Sequence, residues 1–504
     1  MAVLTRRRLL QGMAAAAAGA PSILRAARRA GDKPNVLFLW TDQQRANTMA
    51  VYGNHRFRVP VMNDLASRSV VFEKAYVSQP VCTPSRSTIM TGLYPHQNGC
   101  VGNNIPLRAE TKTLPELVND SSYRTGYMGK WHLGDEVFRQ HGFQEWVSIE
   151  DIYWEYFSAG RDRKTRSSYH HFLESLGNRP EGEEGRFSRD FASLRPLEQC
   201  KPAFLANEAG NFIRRHQREP WILYVNFLEP HPPYYGPLNG LHEESEAPMP
   251  RNYPGTAVER EPGWYSRLRE NQRAKVEDKV YLAGRAGNRA STGTEAGLRR
   301  VLQQLNRNYA GLCSQVDEAL GRIFWALETS GQADNTVIVF TSDHGEMGGS
   351  HSLIQKTVAY EEAIWVPMLL HVPFRQNRKV AVPQPVGHID LAPTLLELLT
   401  GKRDESLPGE SWLRLLDDGK RREDHVFVEW TDREGGPNWR MAISPDGWKL
   451  AQFDRDNSLL FDRNRDPLEM SNLYYRPEHA GDVRRLRASV ERWQKATGDA
   501  FAMS

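Results

Sequence analysis

Four segments, each followed by chemically active residues, decide what this chain can fold into. Residues 36–40, 221–228 and 337–340 are near-continuous apolar runs, and 123–128 reads as a fourth strand. Runs without polar alternation mark strands buried on both faces, as in parallel sheets covered by helices. The residues that follow are polar: Asp42-Gln43, Lys130-Trp131-His132, His231 between prolines, and Asp343-His344-Gly345-Glu346. Open α/β sheets bind ligands beyond the carboxyl ends of their strands. Asp42 and Asp343 end two strands in equivalent ways, so the pattern points to one site collected along one sheet edge.

The intervening segments supply the covering helices. Leu205, Ala209, Phe212 and Ile213 share a face over 202–216. Tyr309, Leu312, Cys313, Val316, Leu320, Ile323 and Leu327 share a face of a long helix stopped by Gly331. Beyond Gly401 the rhythm changes to short strands at 426–430, 441–443, 448–453 and 459–461, then a helix near 483–493. The expected fold is therefore α/β, a large, mixed, mostly parallel sheet between helices, with a smaller C-terminal antiparallel sheet plus helix. Residues 31–410 are expected to form the catalytic domain and 411–504 the C-terminal subdomain. Residues 150–200 and 236–300 read as irregular insertions, with 284–297 a mobile surface loop.

The first thirty residues read differently. Arg6-Arg7-Arg8 before a weakly apolar stretch predicts a twin-arginine export signal over 1–30, and hence a periplasmic or extracellular protein that meets a twin-arginine translocase. The formal charge of +3 is a property of that segment, which holds six arginines and no acid; the remainder carries −3. That balance gives no argument for nucleic acid, and no stretch is long and apolar enough to span a bilayer. Four cysteines (Cys82, Cys100, Cys200 and Cys313) are not a disulfide framework if Cys82 is chemically spent, and Cys313 falls on an apolar helix face.

Cys82-Thr83-Pro84-Ser85-Arg86 opens a helix-like stretch ending at Gly92, with Thr83 the expected cap and Pro84 in the first turn. The cysteine then sits at the positive end of a helix, where developing negative charge is favoured. Lys130 and His132, two apart in a segment taken as extended, are expected to face the same side.

The five-residue cysteine motif resembles the active-site signature of the type I, formylglycine-dependent sulfatases of the alkaline phosphatase superfamily. The resemblance extends, in the family's order, to Gly126 through Gly134, Pro230-His231-Pro232-Pro233, Asp343-His344-Gly345-Glu346, Lys356 and Trp448-Lys449-Leu450. It implies an alkaline phosphatase-like fold and a sulfuric ester hydrolase whose Cys82 is oxidised to formylglycine by a formylglycine-generating enzyme. By position, Asp42, Gln43, Asp343 and His344 match the metal ligands, completed by residue 82. Calcium is favoured, with manganese or magnesium open, because Gln43 stands where many members have Asp. Cys82, Arg86, Lys130, His132, His231 and Lys356 match catalytic residues; Lys130, His231, Lys356 and Asn104 are the substrate-binding set. In the implied mechanism a hydroxyl of hydrated formylglycine attacks sulfur. Arg86 holds the nucleophile, and Lys130, His231 and Lys356 neutralise the ester. His231 or Lys356 protonates the departing alcohol, and His132 removes a proton so that sulfate is expelled. The expected substrate is a sulfated sugar or an aryl or alkyl sulfate. A phosphonate monoester or phosphodiester hydrolase, and an inactive sulfatase-like binding protein, are the alternatives.

Overall fold

The computed structural model describes residues 33–255, 257–277, 294–375 and 379–502. The expected leader and most of the 284–297 loop lie outside them. The described strands are β1 (Asn35–Asp42), β2 (Val70–Tyr76), β3 (Arg124–Gly129), β4 (Glu145–Ser148), β5 (Trp221–Pro230), β6 (Thr336–Ser342), β7 (Trp365–Val366), β8 (Met368–His371), β9 (Val380–Gly387), β10 (Val426–Trp430), β11 (Trp439–Ile443), β12 (Trp448–Phe453) and β13 (Leu459–Asp462). The principal helices are α1 (Cys82–Thr91), α2 (Lys201–Arg215), α3 (Glu295–Thr329), α4 (Leu391–Thr400) and α5 (Ala480–Thr497).

Nine strands form one sheet in the order β4-β3-β5-β1-β6-β8-β2-β7, with β9 also paired to β2. Within it β4, β3, β5, β1 and β6 run parallel, while β8 is antiparallel to both β6 and β2. The continuous apolar runs have their physical reason here. In β1, Leu37 and Leu39 enter one core with α2 and α3, whereas Val36, Phe38 and Trp40 enter the opposite core with α1 and α4. Strands β5 and β6 divide their residues the same way. Each such side chain contributes roughly 1.5–3 kcal/mol by leaving water, so neither face tolerates polar alternation.

The second sheet, β10-β11-β12-β13, is antiparallel throughout. Val428, Met441, Ile443, Ala451 and Phe461 pack toward Tyr76, Val77 and Val366 of the large sheet; Phe427, Ala442, Leu450 and Leu460 pack under Leu486, Val490 and Trp493 of α5.

Several expectations change. β2, β4 and β9 were not expected. β2 carries Glu73 and Lys74 in its middle, and β9 contains two prolines, so neither shows a clean apolar run. The long helix α3 begins at Glu295, well before Tyr309, and Gly297 lies in its first turn rather than in a loop. The 150–200 insertion contains helices Ser168–Ser175 and Arg189–Ser193. It is clipped to α2 by Glu150, whose carboxylate accepts from Arg189 Nε at 2.6 Å and from Lys201 at the start of α2. Thr83 does not cap α1. The helix starts at Cys82 after Val81, and Thr83 Oγ1 donates instead to the His132 carbonyl at 2.8 Å.

Candidate active site

The carboxyl ends of β1, β3, β5 and β6 and the start of α1 meet at one buried point. Asp42 is the last residue of β1, Asp343 and His344 follow β6, and Cys82 opens α1 beyond β2. One ligand atom from each of Asp42, Cys82, Asp343 and His344 lies within 4.8 Å of all the others, and all four residues are buried.

Arg86 organises this cluster from one turn into α1. Its Nη2 donates to Asp42 Oδ2 at 2.8 Å and its Nε to Asp343 Oδ2 at 2.9 Å. Its Nη1 donates to the Lys130 carbonyl at 2.6 Å and to Asn226 Oδ1 at 2.8 Å. Lys130 Nζ adds a 2.7 Å bond to Asp42 Oδ2 and lies 3.8 Å from Cys82 Sγ. Both Oδ2 atoms are thereby taken by cationic donors. The Oδ1 atoms are left turned toward His344 Nε2, at 3.7 Å from Asp42 and 3.6 Å from Asp343. His344 Nδ1 lies 3.0 Å from the Gly345 carbonyl, an acceptor that requires Nδ1 to carry the proton, so that in the neutral ring Nε2 is the nitrogen with the lone pair. Two carboxylate oxygens, an imidazole nitrogen and residue 82 therefore converge as a donor set suited to a divalent cation.

The charges reinforce one another. Burial opposes the ionised Asp42 carboxyl, but Lys130, His231 and Arg86 outweigh it and hold the group well below the usual carboxylate range. Burial and Asp42 push the Cys82 thiol up, yet Lys130, Lys356 and His344 bring it down to about 7. Burial, Lys130 and Arg86 hold His132 well below its ordinary value. His231 is lowered too, by burial and then by Lys356 and Lys130 against the pull of Asp42.

All the residues expected at the site are found around this point. Lys356 Nζ donates to Gln43 Oε1 at 2.5 Å. His231 places Nδ1 2.7 Å from the Pro232 carbonyl and lies near enough to Asp42, Lys130 and Lys356 for their charges to act on it. Asn104 Oδ1 lies 2.8 Å from His132 Nε2, while His132 Nδ1 is buried without a partner. Asn104 thus orients His132. Lys130 and His132 do share a side, but not through extended backbone. Gly129 has φ 123° and His132 φ 58°, and both side chains close on the Tyr153 ring, whose centroid is 5.9 Å from Lys130 Nζ and 4.3 Å from the His132 ring.

Several supporting residues were missed. Asn226, in the middle of an apolar run, receives Arg86. Glu136 accepts the Trp131 and His132 backbone N–H groups at 2.8 and 2.6 Å. Glu346 accepts from Gln43 Nε2 and from the Tyr234 hydroxyl. A lone Asn inside a buried strand marks Asn226, and Glu346 closes the Asp343-to-Glu346 segment beyond β6, but Glu136 carries no such signal. Tyr153 comes from the irregular insertion and carried none.

An enclosed cluster of carboxylates and a histidine at the strand ends of such a sheet has the make-up of a metal-assisted hydrolytic site. The family model described as Sulfatase matches residues 34–402, and a second, described as N-sulphoglucosamine sulphohydrolase, C-terminal, matches 349–496. The chain belongs to the sulfatase family and is a sulfatase-type hydrolase. It is similar to the uncharacterized sulfatase YidJ of Escherichia coli, 28% identical over 88% of this chain and 83% of that one. It is also similar to an ulvan-active sulfatase of Formosa agariphila, 27% identical over 93% and 82%. Among solved structures, a phosphonate monoester hydrolase from Silicibacter pomeroyi shares the fold, with TM-score 0.74 and 22% identity over 93% of this chain and 96% of that one.

Proposed function

We propose that the protein hydrolyses sulfate monoesters, with Cys82 converted to formylglycine and a divalent cation, calcium first, held by Asp42, Gln43, Asp343, His344 and residue 82. The observation that supports this best is the arrangement around Arg86, which engages the outer oxygens of Asp42 and Asp343 and so leaves their inner oxygens beside residue 82. When in place, the hydrated aldehyde would supply one hydroxyl as nucleophile and a second whose deprotonation would expel sulfate and restore the aldehyde, and the cation would neutralise charge.

The chain's own residues do the rest. Arg86 keeps both carboxylates oriented and adds positive charge behind residue 82. Lys130, whose charge burial opposes but Asp42, Cys82 and Tyr153 together sustain, binds an ester oxygen. Lys356 and His231 are the two groups placed to deliver a proton to the departing alcohol. His132, its Nε2 engaged by Asn104, keeps Nδ1 as the nitrogen that can accept a proton. Tyr153 covers the ring of His132 and limits water there.

The ulvan-active relative supports a sulfated sugar or glycan as substrate. A second reading, phosphonate monoester or phosphodiester hydrolysis, stands on the same charge: these esters also carry one negative charge, and Gln43 places a neutral amide beside the acidic cluster. The full set of matched residues, all brought to one point, argues against an inactive binding scaffold. Maturation by a formylglycine-generating enzyme and export by a twin-arginine translocase complete the proposal. The deciding experiment measures sulfate release from a panel of sulfated sugars, alongside mass spectrometry of the Cys82 peptide. Sulfate release with the aldehyde at residue 82 is expected; full activity with an unmodified thiol rejects the mechanism.

A further inference from the structure

Gln43 is held at every polar atom it has. Its backbone N–H donates to Asp343 Oδ1 at 3.0 Å, and its carbonyl accepts the Tyr309 hydroxyl at 2.7 Å. Its side-chain Oε1 accepts from Lys356 Nζ at 2.5 Å. Its Nε2 donates to Glu346 Oε2 and to the Tyr234 hydroxyl, the latter at 2.7 Å. Glu346 is 1% exposed. It accepts the Tyr234 hydroxyl at 2.6 Å on Oε2, and the backbone N–H groups of Gly348 and Gln355 at 2.8 and 2.6 Å on Oε1.

The chemistry of the three groups allows one orientation only. An ammonium can only donate and an ionised carboxylate can only accept. An amide lying between them must turn its oxygen to the ammonium and its NH2 to the carboxylate. The reverse would set donor against donor at Lys356 and acceptor against acceptor at Glu346, both buried, and each costs as much as a lost buried hydrogen bond. Glu346 therefore determines which end of the Gln43 amide Lys356 meets. A carboxylate at position 43 would hold Lys356 without help; with an amide there the negative charge sits one residue outward, and the orientation of the amide depends on Glu346.

We propose that Glu346 is a positioning residue of the reaction, acting through the Gln43 amide to aim Lys356 at the ester. The assignment of Lys356 to the ester rests on the proposed function; the orientation of the amide does not. The test compares Glu346→Gln with the double variant Gln43→Glu/Glu346→Gln on whichever ester the unaltered enzyme cleaves fastest. In Glu346→Gln the Gln43 amide can turn over, and kcat is expected to fall about 10–100-fold, the usual effect of losing such a partner, with KM changed far less. The double variant restores an acceptor facing Lys356 and a donor behind it at the same total charge, and most of the lost kcat should return. Ca2+ binding to the metal-stripped proteins, followed by calorimetry, should weaken and recover in the same pattern if the same oxygen serves the cation. Unchanged Ca2+ affinity with lowered and rescued kcat keeps the action on Lys356 and removes Gln43 from the ligand set. The inference is overturned if kcat in Glu346→Gln stays near that of the unaltered enzyme, or if the double variant is no better while circular dichroism shows both folded. Should Glu346→Gln itself fail to fold, Gln43→Asn, which withdraws the amide from both neighbours and leaves Glu346 its other donors, must show the same loss of kcat. An unaltered enzyme that cleaves no sulfate ester, phosphodiester or phosphonate defeats the proposed function instead.

Discussion

Cys82 lies among a carboxylate, an imidazole and an ammonium, with Sγ 3.3 Å from His344 Nε2 and 3.9 Å from Asp42 Oδ1. Its side chain adds little to the core, so Cys82→Ala should fold normally yet retain less than about a thousandth of the activity, as expected when a covalent nucleophile is removed. Activity above that level would place the nucleophile elsewhere. Gly129 is the residue whose backbone the site depends on most. At φ 123° a Cβ there would lie 2.0 Å from the carbonyl oxygen of Asn226, the residue that also receives Arg86. Gly129→Ala must move β3 from β5, and denaturant titration should show a loss of ~2 kcal/mol or more. A smaller loss would mean that the two strands can separate freely. The glycine itself is plain in the sequence beside Lys130. What it approaches is not, because Asn226 is nearly a hundred residues away and lies on a neighbouring strand.

At the scale of elements, two attachments matter. The 150–200 insertion, which brings Tyr153 to His132, is held by one carboxylate. Burial opposes the charge on Glu150, but Arg189 and Lys201 bring the group down to about 2. Glu150→Gln leaves those cations uncompensated and should cost ~3 kcal/mol in chemical denaturation, within the range for breaking a buried pair. A loss below ~1 kcal/mol would show that water already reaches the cluster. The second attachment joins the large sheet's surroundings to the small sheet. His96 lies 2.5 Å from Glu429 on β10 and packs on Tyr94 and Trp493. Burial lowers its basicity, but the hydrogen bond and charge of Glu429 raise it further. A raised histidine stabilises the fold below its ordinary pKa and loses that contribution as pH rises through the folded-state value. The melting temperature should therefore fall from about pH 6 to about pH 8, and His96→Gln should flatten that slope. An unchanged slope in the variant would show that another group is responsible.

For the whole molecule, the balance of charge around the site sets the order of substrates. Arg86, Lys130 and Lys356 surround a cluster whose carboxylates are Asp42 and Asp343, and Gln43 adds no charge. A site shaped for one negative charge lacks a partner for a second. In kcat/KM on matched nitrophenyl esters, sulfate monoesters should lead, phosphodiesters or phosphonate monoesters follow, and phosphate monoesters come last. A clear lead for the phosphodiester or phosphonate would make that reading the function. The sequence alone determined the strands that carry Asp42, His231 and Asp343, because their continuous apolar runs are stable only where both faces are covered. It also put Asp42, Asp343 and His344 at or beyond strand ends, and the resemblance to the sulfatases added Cys82 to them. Strands β2, β4 and β9 were hidden, because charged and proline residues interrupt them and only their neighbours in the sheet make them strands. Equally hidden were the capping of α1, the left-handed turn at His132 and the line from Glu346 through Gln43 to Lys356. Each depends on which distant donor meets which acceptor once the chain is folded, and a local sequence pattern contains no such information.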